Sequence, residues 1–248
     1  MLWRQYIIHN THFLLLSAVA YIGTIFIVLS VVQAGEDFRP HDANGFQAFL
    51  IGFVAVFGIL YAGHAFPSFR SKESTISYLM VPASATEKFV FEFVSRIAVI
   101  LSMPLLFWAT FHVQGFVFAI FADDAFHSVG LEYLVKIEVE PDFRALAYAI
   151  TTGGVLLAFV LAFSGAAMFD KQPLVKTLFA VAVIIAFFMG YVYIVLEHLG
   201  LEDYAPPETM FLIPLNELRA LQLITLALFI TIAVMLFVAF RKIKEREV

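Results

Sequence analysis

Apolar residues are gathered into six long runs, at about residues 13–33, 46–66, 97–121, 145–169, 177–196 and 220–240. Within each run almost every position is apolar, so there is no polar face to turn toward water. Each run has about the 20 residues a helix needs to cross a hydrocarbon layer ~30 Å thick. The pattern predicts an all-α membrane protein with six transmembrane helices, a single polytopic domain over residues 1–248. Ahead of the first run, residues 1–12 mix Leu2, Trp3, Tyr6, Ile7 and Ile8 with polar residues. Tyr and Trp favour the headgroup level, which predicts a short interfacial helix leading into the first span.

Two further connections have patterns of their own. Residues 122–144 are acidic, and 134–140 alternate apolar and charged as a short strand does. Residues 200–218 contain Pro206-Pro207 and then an apolar run from Met210 to Leu215. Six residues are too few to span, so this run either dips back into the bilayer or caps the bundle.

Charge supplies the orientation. Charged residues make up only 14% of the chain, against about 25% in soluble proteins. Eleven of the 15 Lys and Arg fall on the amino end, the second and fourth connections and the carboxyl end. They are Arg4, Arg70, Lys72, Lys88, Arg96, Lys171, Lys176, Arg241, Lys242, Lys244 and Arg246. Arg39, Lys136, Arg144 and Arg219 remain for the other side. Basic residues stay on the cytoplasmic side, so both termini are expected there. The first run is about 21 residues, longer than the 7–15 of a signal-peptide core, and only Arg4 precedes it. It reads as a retained span. There is no cysteine, which excludes disulfides and thiolate metal sites.

The spans carry little reactive chemistry. Small residues recur every fourth position in the fourth span (Gly154, Ala158, Ala162, Ala166) and the fifth (Ala182, Ala186, Gly190). Such spacing lets membrane helices approach closely, so both stripes are expected to pack inside the bundle. Pro104 is expected to kink the third span. The 29 phenylalanines are assigned mainly to lipid contact and gap filling. No carboxylate lies mid-span, where an ion-coupled transporter places one. Glu92 and Arg96 enter the third span near its cytoplasmic end, spaced as a helical ion pair. His64 and His112 are offset in depth, which disfavours a bis-His haem, and no metal-binding spacing occurs. Neither a cofactor nor a metal is expected, and no catalytic residue stands out.

The longest cytoplasmic connection, between the second and third spans, is the informative one. It starts charged, continues as a short apolar run to Pro82, then reaches Ser84 with Glu87 three residues on. Ser-x-x-Glu is the capping-box spacing. The segment therefore reads as a short helix across the membrane face, a Pro turn, and a new helix feeding the third span.

This pattern resembles the membrane subunits of ABC-2 type exporters. The matching positions are Lys72-Glu73, Thr75, the apolar run 76–81, Pro82, Ser84 and Glu87-Lys88; no Gly precedes Thr75, and its spacing to Pro82 is slightly tight. The interfacial amino end, the six spans and the structured connection before the last span are similar to that family too. The resemblance implies a permease whose coupling-type connection (Arg70, Lys72, Glu73, Thr75, Pro82, Ser84, Glu87, Lys88) rests on a separate ABC-type ATPase subunit. It also implies pairing with a second copy or a similar permease, and residence in a bacterial cytoplasmic (inner) membrane. The chain itself has no Gly-x-x-x-x-Gly-Lys-Ser/Thr phosphate loop, so no enzymatic activity is expected of it. Nothing points to nucleic acid. The alternative is a non-transporting membrane anchor or scaffold for a larger complex.

Reporter fusions test the orientation. Fusions at Gln172 and the carboxyl end are expected to read cytoplasmic, and one at Asp124 external; a cytoplasmic Asp124 overturns the six-span arrangement.

Overall fold

The computed structural model describes residues 2–35, 43–70, 72–80, 83–122, 128–137, 139–194 and 217–246. Its principal helices are α1 (Leu2–Gly35), α2 (Ala43–Ala62), α3 (Lys72–Leu79), α4 (Ala85–Ala122), α5 (Arg144–Met168), α6 (Pro173–Tyr193) and α7 (Glu217–Arg246). Short 3-10 turns occur at Pro67–Arg70 and Leu131–Leu134. Six helices, all but α3, are long and apolar enough to cross a membrane, and no strand occurs among the described residues. The chain is thus built as a multi-pass integral membrane protein.

Several boundaries differ from the sequence reading. The amino end is not a separate interfacial helix: Leu2–Gly35 is one helix of 34 residues. At 1.5 Å per residue it is ~51 Å long, well beyond a hydrocarbon layer. Nothing in residues 1–12 breaks it, since they contain neither Gly nor Pro. Similarly α4 has 38 residues and continues through Pro104. The alternation at 134–140 does not give a strand; a 3-10 turn and irregular backbone stand there among the described residues. The apolar run 210–215 lies outside the described residues.

By contact density the chain divides into two compact units, to both of which α2 and α4 contribute. The first comprises Met1–Gly58 and Ile97–Lys136. Its core is aromatic: Phe46, Phe107 and Phe111 are fully buried, with Phe46 set edge-on to both others. Polar groups tie its helices together. The Tyr21 hydroxyl donates to the Met103 carbonyl at 3.2 Å, and buried Gln114 donates its amide to the Gln33 oxygen. A buried amide without a partner costs several kcal/mol in an apolar medium, roughly 2–7, so the pair fixes the register of α1 on α4.

The segment after α4 is also gripped. Trp108 Nε1 donates to the Val129 carbonyl at 2.8 Å, and the Val129 N–H donates to His112 Nε2 at 3.2 Å. Gln47 Nε2 donates to the carbonyls of Tyr133 and Lys136. His112 Nδ1 lies 2.8 Å from the Trp108 carbonyl. The imidazole thus links α4 to the segment through both ring nitrogens.

The second unit comprises Ile59–Arg96 and Ile137–Val248. Here α5 packs along α7 and, over a shorter length, on α6. Two glycines permit this. A Cβ on Gly153 would collide with Leu228 of α7, and one on Gly165 with Thr177 of α6. Ser164 adds a hydrogen bond to the Met235 carbonyl at 3.1 Å. Phe163 is the hub of the core, with its ring 5.0 Å from Phe66, 5.7 Å from Phe89 and 5.4 Å from Phe93. Phenylalanine is therefore structural here as well as a filler of lipid-facing surface.

The two small-residue stripes separate. In α5, Ala162 and Ala166 are buried, yet Gly154 is exposed and Gly153 makes the close contact. In α6, Ala182, Ala186 and Gly190 are all exposed, so the expected packing inside the bundle is not there. The α6 contact comes from its first turns, through Thr177, before that stripe begins.

Replacing Ala162 with Leu is expected to destabilise the detergent-solubilised protein by about 1–3 kcal/mol through overpacking. Ala186→Leu is expected to leave the thermal midpoint unchanged. Equal effects in a thermal-shift measurement would contradict this division of the two faces.

Candidate functional site: the connection between the second and third spans

Helix α2 ends at Ala62, and the backbone then turns sharply. Phe66 has φ +52°, the left-handed region, which is uncommon for a residue with a bulky side chain. Such a conformation costs about 1–3 kcal/mol and persists only where its surroundings hold it. Three contacts do so. The ring stacks on Phe69 at 5.6 Å and packs on Phe163, and the backbone N–H donates to Glu92 Oε1 at 3.1 Å.

Glu92 belongs to a pair on α4. Its Oε1 also accepts from Arg96 Nη2 at 2.8 Å, the i, i+4 ion pair that the spacing predicts, and both residues are buried. The Arg96 guanidinium reaches the Tyr61 carbonyl at 3.4 Å and sits 4.6 Å from the Tyr61 ring centroid. The cation thus meets a carbonyl in the last turn of α2, where the helix dipole favours positive charge. The anion meets an amide just beyond. One turn of α4 thereby holds the end of α2 at two points of opposite polarity.

Beyond Phe66 the chain forms the 3-10 turn Pro67–Arg70 and then α3. Thr75 Oγ1 donates to the Ser68 carbonyl at 2.9 Å, which folds α3 back on that turn. The start of α4 follows the predicted capping box. The Ser84 N–H donates to Glu87 Oε2 at 2.8 Å, and the Glu87 N–H donates to Ser84 Oγ at 3.2 Å. Lys88 is buried, with Nζ 5.3 Å from the Tyr78 ring centroid, so it joins α4 to α3.

The residues singled out from sequence are therefore sorted. Thr75, Ser84, Glu87 and Lys88 build the scaffold of the connection. Glu73 is exposed in the first turn of α3. Arg70 ends the 3-10 turn and Lys72 opens α3. Pro82 lies outside the described residues. Outward of this scaffold, Glu73, Ile76 and Met80 are exposed at spacings of three and four, one stripe along α3 and the residue after it. Ile76 is 59% and Met80 78% exposed, uncommon for large apolar residues on so short and polar a helix.

A long-range contact completes the region and was not foreseen. Arg246, in the last turn of α7, forms an ion pair with Asp170 and lies 4.6 Å from the Phe69 ring centroid. It ties the 3-10 turn, the α5–α6 connection and the end of α7 into one cluster. The basic character of that end is visible in sequence, but the partner 76 residues away carries no local signal. Among the described residues no group of three metal-ligating side chains occurs.

No protein-family model, no curated protein and no solved structure matches the chain.

Removing the cap with Ser84→Ala is expected to cost about 1 kcal/mol. Faster hydrogen exchange confined to the first turn of α4 is the expected signature; unchanged exchange there means that the box contributes nothing.

Proposed function

We propose that this chain is the membrane-spanning permease subunit of an ATP-driven exporter of the ABC-2 type, with ATP hydrolysis on a separate subunit. The observation that carries the reading is the outward stripe Glu73, Ile76 and Met80, mounted on a connection that is braced from behind. A short helix with exposed apolar residues beside charge fits a groove on a partner protein. Its bracing suits it to receive a push: Lys88 against Tyr78 and Thr75 on Ser68 tie α3 to α4 and to the 3-10 turn, and the Ser84–Glu87 box caps the start of α4. In this reading the connection lies on the cytoplasmic face, as its basic residues require, and Arg70, Lys72, Glu73, Pro82 and their neighbours meet the ATPase.

Two copies, or one copy and a similar permease, would pair with two ATPases in a bacterial cytoplasmic membrane. Nucleotide binding changes the ATPase surface, and the permease equilibrium shifts only by the difference in docking energy between those states. Ion coupling has no support: of the buried charges in the described spans, Glu92 and Arg96 are paired with each other and with backbone, and Lys88 lies against the Tyr78 ring near the start of α4.

Reversing both charges in Lys72→Glu, Glu73→Lys, or placing Ile76→Asp, is expected to abolish co-purification of an ATPase while membrane insertion is retained. Pro82→Ala is expected to keep association but lower transport per ATP. Normal association and coupling in all three variants favours the non-transporting scaffold.

A further inference from the structure

We propose that Glu92 is a positioning residue. By holding the Phe66 N–H, it locks the turn after α2, so that the connection 67–79 and the start of α4 move as one body. The functional consequence rests on the exporter reading above; the geometry does not.

Glu92 stands where mechanical continuity would otherwise fail. Backbone hydrogen bonds continue past Ala62, from Gly63 to Ile59, His64 to Tyr61 and Ala65 to Ala62, and Phe66 then adopts a backbone conformation that its side chain disfavours. A turn of this kind is a natural hinge, because relaxing Phe66 to negative φ would swing everything after it. Glu92 opposes that relaxation directly. It lies on α4, 26 residues along the chain, and its carboxylate receives the Phe66 amide at 3.1 Å. A charged acceptor makes a stronger hydrogen bond than a neutral one, and Arg96, at 2.8 Å, keeps the carboxylate oriented. Arg96 also grips the Tyr61 carbonyl, on the other side of the turn. The two side chains of α4 therefore span the hinge, and displacement of α3 reaches α4 through them as well as through residues 80–84. Lys88 against Tyr78 adds a direct contact between α4 and α3.

A buried ion pair gives no sure gain in stability, and well-packed apolar replacements are often neutral or better. That property separates a positioning role from a merely structural one. The double variant Glu92→Leu, Arg96→Leu leaves no buried charge unpaired and should still insert and fold while losing the lock. Glu92→Gln keeps an oxygen for the Phe66 N–H and should keep the lock. The natural chain has no cysteine, so spin labels at Leu60→Cys on α2 and Ile76→Cys on α3 report the hinge without background.

In lipid nanodiscs and without partner, pulsed dipolar spectroscopy is expected to give one narrow label distance for the native background and for Glu92→Gln. The double variant, inserted and with unchanged helical content, should give at least a twofold broader distribution. A narrow distance in the double variant overturns the proposal. Should that variant fail to insert, hydrogen exchange in the unsubstituted chain decides: the Phe66 amide is expected to exchange at least a hundredfold slower than an unstructured amide, and equal rates overturn the lock. With a co-purified ATPase, the double variant is expected to keep association but lose at least tenfold in transport per ATP, with Glu92→Gln close to normal. Full coupling in a variant with a broadened distance overturns the functional role. Failure of the unsubstituted chain to capture any ATPase refutes the exporter reading, while the label distances still decide the lock.

Discussion

Inside a hydrocarbon layer a backbone amide or carbonyl has no water to turn to, and this requirement constrains how a helix can stop there. Helices satisfy it along their length without help. At their ends, other groups must take over, and in this protein side chains do so at the end of α2 and the start of α4. Arg96 supplies a cation to the last turn of α2, and Glu92 supplies an acceptor to the amide that follows. Ser84 and Glu87 exchange hydrogen bonds at the start of α4. Charges that would be costly within the bilayer are thus used where the main chain already needs a partner.

Between the ends, cohesion has a different source. Lipid tails are as apolar as leucine, so helices gain little from merely covering apolar surface. Closeness has to come from shape. Gly165 lets α5 approach α6 to a distance that a Cβ would forbid, Gly153 leaves room for the Leu228 side chain of α7, and Ser164 adds a hydrogen bond between helices. The Phe163 ring fills the space between elements that glycine cannot fill. Small and large residues on a single helix do complementary jobs.

Local features of the fold were legible in the sequence, and relations between distant residues were not. Span positions follow from run length, and the capping box follows from a three-residue spacing, because each depends on neighbours in the chain. The pair Glu92 and Arg96 could be read for the same reason, but its grip on Phe66 and Tyr61 could not, since nothing near residue 66 announces a left-handed phenylalanine. The stripes of small residues show the limit clearly. Identical spacing in α5 and α6 gave one stripe buried in its second half and one exposed throughout. Spacing states that a helix can be approached; what approaches it is decided elsewhere in the chain. The alternation at 134–140 misled because period two describes a strand only where another strand is present to pair with it.

The segment after α4 is held by an unusual kind of grip. Trp108, His112 and Gln47 take hold of it through the main-chain atoms of Val129, Tyr133 and Lys136, with no demand on most of the side chains it carries. Leu131, Glu132 and Val135 stand exposed on it. A mounting that, buried Val129 apart, holds backbone tolerates exchange of the exposed side chains it carries. The surface presented there is free to drift under selection from its surroundings, at little cost to the helices that carry it.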